Sequence, residues 1–313
     1  MSVASFPAAK ASESTTRSRG STIARLPTRS HRACRVRPCL GSRPIVTNRL
    51  LLITCEHAGN RVPGEFRHLF EGRHDLLQTH RGWDPGALTL AQEMSEAFEA
   101  PLLFTETTRL LIDVNRSLRT PDLHSEITKT LPIAERREIV RRYWQPHRER
   151  VEGWVRRVVA QGHAVVHIAS HSFTPELKGH VRTADVGFLY DPRRPGEVDF
   201  SSRWFRALQA RRPDLRLRRN YPYLGRSDGV TLRLRREHPP ERYVGIELEV
   251  NQRFVERGGP AWTGIRASLV ASMREALGPA PQTRPGEGAA ARETTEAPTP
   301  IDAARAESER IDS

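Results

Sequence analysis

The sequence predicts a three-layer α/β fold, in which a mostly parallel or mixed central sheet is covered by helices on both faces. Short apolar runs bounded by polar residues alternate along the chain with longer segments of helical apolar spacing, and this alternation is typical of strand–helix–strand units. In addition, 37% of the 313 residues are hydrophobic, which is enough to bury a substantial core. The chain shows no internal repeat and no interior linker. We therefore expect one domain over residues 49–278.

Apolar runs that lack helical spacing are the predicted strands. Residues 50–54 read LLLIT and residues 164–169 read AVVHIA. Because both runs are continuous rather than alternating, they suit strands that are buried on both faces of a sheet. The other predicted strands are residues 101–105, 110–114, 186–190 and 243–250.

Helical apolar spacing appears in the segments between these runs. Asp84 and Pro85 mark a predicted helix start, as the N-cap and the first helical residue, and apolar residues then recur at helical spacing up to Phe98. Residues 133–159 carry a second helical pattern, which is broken near Pro146. Two further helices are predicted around residues 202–210 and 261–277.

The two ends of the chain differ in composition from the middle. Residues 1–48 contain nine Lys/Arg and one acid, and residues 279–313 contain four Arg and seven acids among Pro, Ala, Gly and Thr. Both compositions predict disorder. A basic arm can bind nucleic acid nonspecifically, but a GC-rich genome, an upstream start codon or a transit peptide explains the arginines as well. We therefore expect no specific nucleic-acid partner.

Other classes of protein are excluded by pattern. No window approaches the roughly 18 apolar residues of a membrane span, and the N-terminus has no apolar stretch of the kind found in signal peptides. These features predict a soluble, cytoplasmic protein without a membrane partner. Cys34, Cys39 and Cys55 do not make a disulfide framework.

Polar residues next to buried runs are the candidates for a functional site, because ligands of open α/β sheets collect at the carboxyl ends of the strands. His57 and His171 each follow such a run, and Glu247 and Glu249 lie in or at the end of the last one. Two histidines and an acid match a catalytic zinc site, which takes three protein ligands and leaves one position for water. From spacing alone, a strand-end histidine is more often a hydrogen-bonded structural residue than a metal ligand.

Short motifs in a fixed order add more specific information. They are EHAGNRVP at residues 56–63, HRGWDPGA at 80–87, DVNRS at 113–117, SHSF at 170–173, NYPY with SDGVT at 220–231, and ELEVNQ at 247–252. This set resembles the motifs of the N-formylglutamate amidohydrolase family. The resemblance implies a fold related to the zinc exopeptidases. It also implies hydrolysis of the formyl amide of N-formyl-L-glutamate, or of a related N-acyl amino acid, to formate and the free amino acid.

The resemblance also implies a set of metal ligands. His57 and His171 are carried over as ligands of one Zn²⁺ ion, and Asp84 is the expected third ligand, with Glu56 as the fallback. Asp84 has a competing structural interpretation, since Asp before Pro at a helix start is an ordinary N-cap.

The resemblance further implies the proton-transfer group. Glu249 is expected to be the general base, as a carboxylate on a late strand. Glu247 points to the same face, two residues away in a strand, and is expected to share the site. The alternative for either acid is an ion pair with a nearby arginine. Cys55 beside His57 is an alternative thiol nucleophile, although cysteine is commonly a small core residue.

Recognition of a small-molecule carboxylate substrate is assigned to guanidinium chemistry. The resemblance implies that the Asn115-Arg116 dipeptide binds the carboxylate, since a guanidinium group forms two parallel hydrogen bonds to it. The alternative for Arg116 is a surface salt bridge. Tyr223 and Arg226 are further candidates for the same pocket, although a structural role is the favoured interpretation for each. Two other functions stay open: hydrolysis of another small amide or peptide at the same metal centre, and nucleic-acid association through the basic arm.

Overall fold

The computed structural model describes residues 49–278. The predictions made for residues 1–48 and 279–313, including the nucleic-acid-binding arm, Cys34 and Cys39, lie outside the described residues. Within them, a six-stranded sheet carries helices on both of its faces. The predicted fold class is confirmed.

The strands form one mixed sheet and one small hairpin. The sheet order is β2-β1-β3-β8-β6-β7, with parallel pairing except between β6 and β8, while β4 and β5 form a separate antiparallel pair. The carboxyl ends of the four parallel strands β1, β2, β3 and β8 therefore meet at one edge of the sheet. The strands are β1 (Arg49–Cys55), β2 (Leu102–Phe104), β3 (Ala164–Phe173), β4 (Glu176–Leu177), β5 (His180–Val181), β6 (Val186–Leu189), β7 (Leu217–Arg219) and β8 (Tyr243–Asn251).

The helices follow the predicted pattern, with additional short elements. The segment predicted as a helix broken near Pro146 consists of two α-helices joined by a π-helical turn over Val140–Trp144. The α-helices are α1 (His74–Gln78), α2 (Ala87–Phe98), α3 (Ile133–Ile139), α4 (Gln145–Ala160), α5 (Pro195–Arg211), α6 (Val230–Glu237), α7 (Arg253–Arg257) and α8 (Gly259–Leu277), and 3₁₀ turns cover Gly64–Phe70 and Pro121–Leu123.

The core has one layer on each face of the sheet. Ile53 of β1 packs into the layer that includes apolar residues of α2, α5 and α8. The next residue back, Leu52, packs into the opposite layer with Val155 of α4 and Leu234 of α6. Successive side chains of a strand point to opposite faces, so a strand between two layers must be apolar at every position. This is why the run at residues 50–54 is continuous rather than alternating.

Two local predictions are wrong. Residues 110–114, predicted as a strand, are irregular and pack in a satellite apolar cluster beside the main core. An apolar run indicates that a segment is buried. Here the segment is buried by the surrounding residues but does not pair with a strand of the sheet. Helix α2 begins at Ala87 with Gly86 as its N-cap residue and no side-chain cap, so Asp84 does not cap this helix.

Across residues 49–278, no helix has both the length and the apolar character that crossing a membrane requires. The predicted domain limits and cytoplasmic location stay predictions.

Candidate metal centre

Three side chains from separate segments converge at the carboxyl edge of the sheet. His57 lies in the turn that follows β1, and Asp84 lies just before α2. His171 lies within β3, which runs on to Phe173, so the expectation that it follows the strand is corrected. The backbone N–H of Asp84 donates to the His57 carbonyl at 3.0 Å, which joins the first two segments directly.

The residues that flank His171 hold the Asp84 segment against β3. The Ser172 hydroxyl donates to the Pro85 carbonyl at 2.7 Å, and the Ser170 hydroxyl donates to the Ala87 carbonyl at 2.9 Å. Because side chains alternate along a strand, both serines point away from the face that carries His171. The Ser-His-Ser pattern therefore serves two purposes, since it anchors the neighbouring loop and presents the histidine.

Two glycines allow the Asp84 segment to follow this path. A Cβ atom added at Gly82 would lie 2.2 Å from the carbonyl oxygen of Leu77, too close for any side chain. Gly86 has a φ of +80°, in the left-handed region that favours glycine. These two positions account for both glycines of the HRGWDPGA motif.

The ligand atoms of His57, Asp84 and His171 lie within 4.8 Å of one another. Asp84 Oδ2 is 3.3 Å from His57 Nδ1 and 2.9 Å from His171 Nδ1. Donors bonded to one tetrahedral zinc ion at about 2.0–2.2 Å lie about 3.3 Å apart, so these separations suit a shared ion. All three side chains are buried, with exposed fractions of 3%, 4% and 3% in that order.

The remote nitrogens of both rings face other carboxylates. His57 Nε2 lies 2.7 Å from Asp113 Oδ1, and His171 Nε2 lies 3.4 Å from Glu56 Oε2. A ring that faces an acid at both nitrogens can donate to both only when it is doubly protonated. A cation on the Nδ1 side removes that requirement, because each ring is then neutral, donates through Nε2 and offers its Nδ1 lone pair. The donor set therefore fits a divalent metal ion.

Electrostatics around the centre follow from this concentration of acids. Burial alone raises the pKa of Asp84, but His57, His171 and Arg109 outweigh burial and hold this pKa below its usual range. Burial lowers the pKa of His171, yet the hydrogen bond to Asp84 and the nearby carboxylate of Glu56 raise it well above normal. The carboxylate of Asp84 is therefore ionised, and its negative charge favours a cation bound beside it.

Glu249 lies beside the centre on the neighbouring strand. It pairs in register with His171 across β3 and β8. Burial raises the pKa of Glu249 to about 8, with His171 opposing the shift and Asp84 and Glu247 adding to it. Its Oε2 atom is buried and has no hydrogen-bond partner within residues 49–278. Glu247 is two residues earlier on β8, where its carboxylate accepts a hydrogen bond from the Thr231 hydroxyl.

The predicted substrate-binding residues are divided between two places. Arg116 lies near the centre, with its Nε atom 3.9 Å from Asp113 Oδ2 and its Nη1 atom donating to the Asp228 carbonyl at 2.6 Å. Asn115 Oδ1 accepts from the N–H of Val230, the first residue of α6, at 2.9 Å. Asn115 therefore stabilises the start of a helix in this structure.

Tyr223 and Arg226 lie on the loop between β7 and α6, and both side chains are exposed. The Tyr223 hydroxyl is the acceptor for two N–H groups of Arg182, each at 3.3 Å. Tyr223 also contributes to the raised pKa of Arg109, behind the opposing effect of burial and the larger effects of Asp113 and Asp84. It therefore lies close to the centre on the solvent side.

Sequence reasoning missed two residues that support the centre. Arg109 donates to Asp113 Oδ2 at 2.7 Å and to Asp84 Oδ1 at 3.3 Å, and thereby links the carboxylate beside His57 to the candidate ligand. Asp113 opens the DVNRS motif but received no role. Its position directly after an apolar run was the available signal, since the same test selected His57 and His171.

Two clefts lie near the centre without being lined by its three donors. One, of about 430 Å³, is lined by residues that include Gly59, Trp83 and Trp262. The other, of about 300 Å³, is lined by residues that include His80 and Pro85. The convergence of donors, rather than the size of a cavity, therefore identifies the site.

The mixed sheet and the strand-end cluster define an α/β protein with a candidate metal centre of the kind that hydrolases carry. A family profile described as N-formylglutamate amidohydrolase matches residues 50–255. The chain belongs to the N-formylglutamate amidohydrolase family, and the predicted resemblance is confirmed. The family is one of amidohydrolases, enzymes that hydrolyse amide bonds.

Two solved structures share this fold. The gene product Atu2144 of Agrobacterium tumefaciens is 29% identical, with a TM-score of 0.63 over 72% of this chain and 90% of that chain. An N-formylglutamate amidohydrolase from Ralstonia eutropha JMP134 is 20% identical, with a TM-score of 0.52 over 72% of this chain and 92% of that chain. The second likeness concerns the fold alone. Among curated proteins, none matches this chain.

Proposed function

We propose that this protein is a zinc-dependent amidohydrolase that cleaves the formyl amide of N-formyl-L-glutamate or of a closely related N-acyl amino acid. The products are formate, or the corresponding carboxylate, and the free amino acid. The observation that carries this proposal is the convergence of His57, Asp84 and His171 on one point. Family membership supplies the reaction class.

In this proposal His57 Nδ1, Asp84 Oδ2 and His171 Nδ1 hold the metal ion. When bound, a divalent ion in this position acts as a Lewis acid that polarises a carbonyl group and promotes the ionisation of water. The 2.7 Å contact of Asp113 with His57 fixes the orientation of that ring, and the Glu56 carboxylate faces His171 Nε2 at 3.4 Å. Glu56, the fallback ligand, thus supports a ligand from its remote side.

Glu249 moves the proton. Its carboxylate accepts a proton from the attacking water and returns it to the leaving nitrogen as the amide bond breaks. A group that both accepts and donates works best when its pKa lies near the operating pH, and burial brings the pKa of Glu249 to about 8. Glu247, on the same strand, contributes negative charge to this site while its own carboxylate is held by Thr231.

Arg116 binds the carboxylate of the substrate. Its side chain is 30% exposed, so it is open to the solvent side of the centre while Asp228 fixes its position. In this proposal Asn115 positions α6 and the neighbouring arginine, and Tyr223 and Arg226 border the route by which substrate enters.

The test compares two buried histidines of the same strand. His171→Gln should lose bound zinc, and formate release should fall by more than about 100-fold, because even groups that only support a metal ligand are typically worth 10–100-fold. His167→Gln is the matched control, since His167 is buried on β3 but bonds to Thr54 and Tyr243. It should keep both zinc and activity. Retention of both by His171→Gln would refute the proposed centre.

The substrate is tested with a panel of N-formyl and N-acetyl amino acids and small peptides. Formate or acetate release is the readout. Preferred cleavage of a dipeptide or of an unrelated amide would keep the metal centre and replace the proposed substrate.

A further inference from the structure

Arg182 lies between β5 and β6, at the edge of the sheet that carries the candidate metal centre. Its backbone N–H donates to the Pro175 carbonyl at 2.8 Å, and its carbonyl accepts from Asn251 Nδ2 at 3.2 Å. Asn251 pairs in register with Phe173. Asn251 lies two residues beyond Glu249 on β8, and Phe173 lies two residues beyond His171 on β3. The backbone of Arg182 is therefore held next to the strand positions that follow the centre.

The guanidinium group of Arg182 is held by neutral partners. Both of its Nη atoms lie 3.3 Å from the Tyr223 hydroxyl. Its central carbon lies 5.2 Å from the centre of the Tyr223 ring and 5.8 Å from that of Phe173. Over residues 49–278, the hydrogen-bonding partner of this group is thus a phenol rather than a carboxylate. Its position is defined while its charge stays uncompensated.

Arg109, at the same edge, is engaged differently, because it pairs with the carboxylates of Asp84 and Asp113. Burial lowers the pKa of His80, and the charges of Arg109 and Arg182 lower it further against the opposing effect of Asp84. The charge of Arg182 therefore acts on His80, four residues before Asp84.

We propose that Arg182 binds a second carboxylate of the substrate and thereby selects N-acyl derivatives of acidic amino acids over neutral ones. The inference rests on the proposed function, in which Arg116 binds the first carboxylate. Phe173 lies two residues, or about 7 Å, beyond His171 on the same face of β3, and the central carbon of the Arg182 guanidinium lies 5.8 Å from the Phe173 ring. A guanidinium group in this position can meet a carboxylate through two parallel hydrogen bonds.

The hydroxyl of Tyr223 has a defined part in this arrangement. It accepts from Arg182, and its ring supports one face of the guanidinium plane. Stacking on aromatic rings keeps the plane of an arginine fixed without neutralising its charge. The remaining N–H groups are left to a ligand.

The test measures selectivity rather than activity alone. Arg182→Gln should lower kcat/KM for N-formyl-L-glutamate by about 10–100-fold, mainly through a higher KM, because hydrogen bonds to charged groups are worth about 1.5–3 kcal/mol. The value for N-formyl-L-glutamine should change by less than about threefold. Arg182→Lys should keep part of the preference, because it retains the charge but not the paired geometry.

The matched control is Arg274→Gln on α8. Arg274 also lies over an aromatic ring, 5.1 Å from the centre of Phe98, and donates to a neutral oxygen, the Ala97 carbonyl, at 2.9 Å. Because its partners are of the same kinds but it lies on a helix away from the centre, its loss should leave the preference for the acidic substrate unchanged. Equal losses on both substrates in Arg182→Gln would overturn the inference.

A binding measurement separates this inference from the proposed function. Calorimetric titration of the zinc-loaded protein with L-glutamate and L-glutamine needs no turnover. If neither N-formyl compound is cleaved, but L-glutamate binds more tightly and Arg182→Gln removes that preference, the proposed function fails and the inference stands. If the unaltered protein shows no preference for L-glutamate, or Arg182→Gln keeps one, the inference is wrong.

Discussion

Glu197 and Glu249 are both carboxylates in the interior of this domain, with exposed fractions of 0% and 5%, and their surroundings are opposite. Glu197, in the first turn of α5, accepts hydrogen bonds from the backbone of Asp191 at 2.8 Å and Gly245 at 3.2 Å. Arg235 Nε donates to it at 2.9 Å. Glu249, on β8, has a buried oxygen without a hydrogen-bond partner among the described residues.

The difference between these regions follows from the free energy of burying charge. An ionised group removed from water is tolerated when hydrogen bonds and an opposite charge replace the lost hydration. Glu197 has both, since Arg194 also lies 3.3 Å away. Glu249 Oε2 has no hydrogen-bond partner among the described residues, and burial raises the pKa of Glu249 to about 8 although His171 and Arg109 oppose the shift. A buried acid kept without compensation indicates a functional site, whereas a compensated one indicates structure.

The largest effect is expected at Glu249. Glu249→Gln should reduce kcat/KM for formate release by about 10²–10⁴-fold, the usual contribution of a positioned general acid or base. Zinc content and the free energy of unfolding should change little, because the carboxylate oxygen Oε2 has no hydrogen bond to lose. Steady-state kinetics and metal analysis provide the measurement.

Glu247→Gln separates the two acids of β8. It removes a carboxylate of the same strand that is engaged by Thr231, and its rate loss should be smaller. A larger loss for Glu247→Gln would transfer the proton-moving role to that residue.

At Glu197 the expected effect is on stability instead. Glu197→Gln should lower the free energy of unfolding by about 3–5 kcal/mol, because it leaves the buried guanidinium of Arg235 without its counter-charge. Glu275→Gln is the control, since Glu275 and Arg211 form an ion pair that is nearly half exposed. It should change stability by less than about 1 kcal/mol. Urea unfolding measures both variants.

Activity sharpens the same comparison. Glu197→Gln should retain its zinc and its rate per folded molecule. Loss of zinc from the folded variant would show that the Glu197 network also supports the metal centre, and the division between the two regions would be wrong.

The candidate site could be predicted from sequence where a ligand follows a buried run. His57 and His171 were selected by this position, and the structure brings them together with Asp84. Asp84 itself was ambiguous, because Asp before Pro is an ordinary cap signal in local sequence. In the structure Gly86 is the N-cap residue, and Ser170 and Ser172 hold the segment after Asp84 against β3. The local sequence pattern cannot predict such tertiary contacts.

The remaining interactions depend on pairs that are distant in the chain. Arg182 and Tyr223 are separated by 41 positions, and Arg235 and Glu197 by 38. Neither arginine is distinguishable by sequence among the 50 basic residues of the chain. The prediction of a strand at residues 110–114 was wrong for a related reason. An apolar run indicates that a segment is buried, but it does not indicate which other strand, if any, the segment pairs with. The tertiary structure pairs Arg235 with the carboxylate of Glu197, whereas Arg182 donates to the Tyr223 hydroxyl.

The smallest effect concerns a third kind of buried group, a histidine with neutral partners. His167 bonds to the Thr54 hydroxyl at 2.8 Å and to the Tyr243 hydroxyl at 2.7 Å. Burial lowers its pKa to about 4, with smaller effects from nearby charges, whereas an unfolded histidine titrates near 6.5. Between pH 6.5 and pH 4 the unfolded chain therefore binds a proton at His167 that the folded chain does not bind. The free energy of unfolding is unaffected by this group above pH 6.5 and decreases as the pH falls toward 4.

Between pH 7 and pH 5 this linkage should remove about 2 kcal/mol from the free energy of unfolding. Burial lowers the pKa of His147 to about 4 as well, so the unaltered protein should show both contributions, and His167→Gln should show a pH dependence smaller by about 2 kcal/mol. Urea unfolding at the two pH values measures the difference, and acid release of metal affects both proteins alike. An unchanged pH dependence would mean that His167 is protonated in the folded protein. Its hydroxyl partners would then stabilise a buried charge as effectively as the ion pairs of Glu197 do.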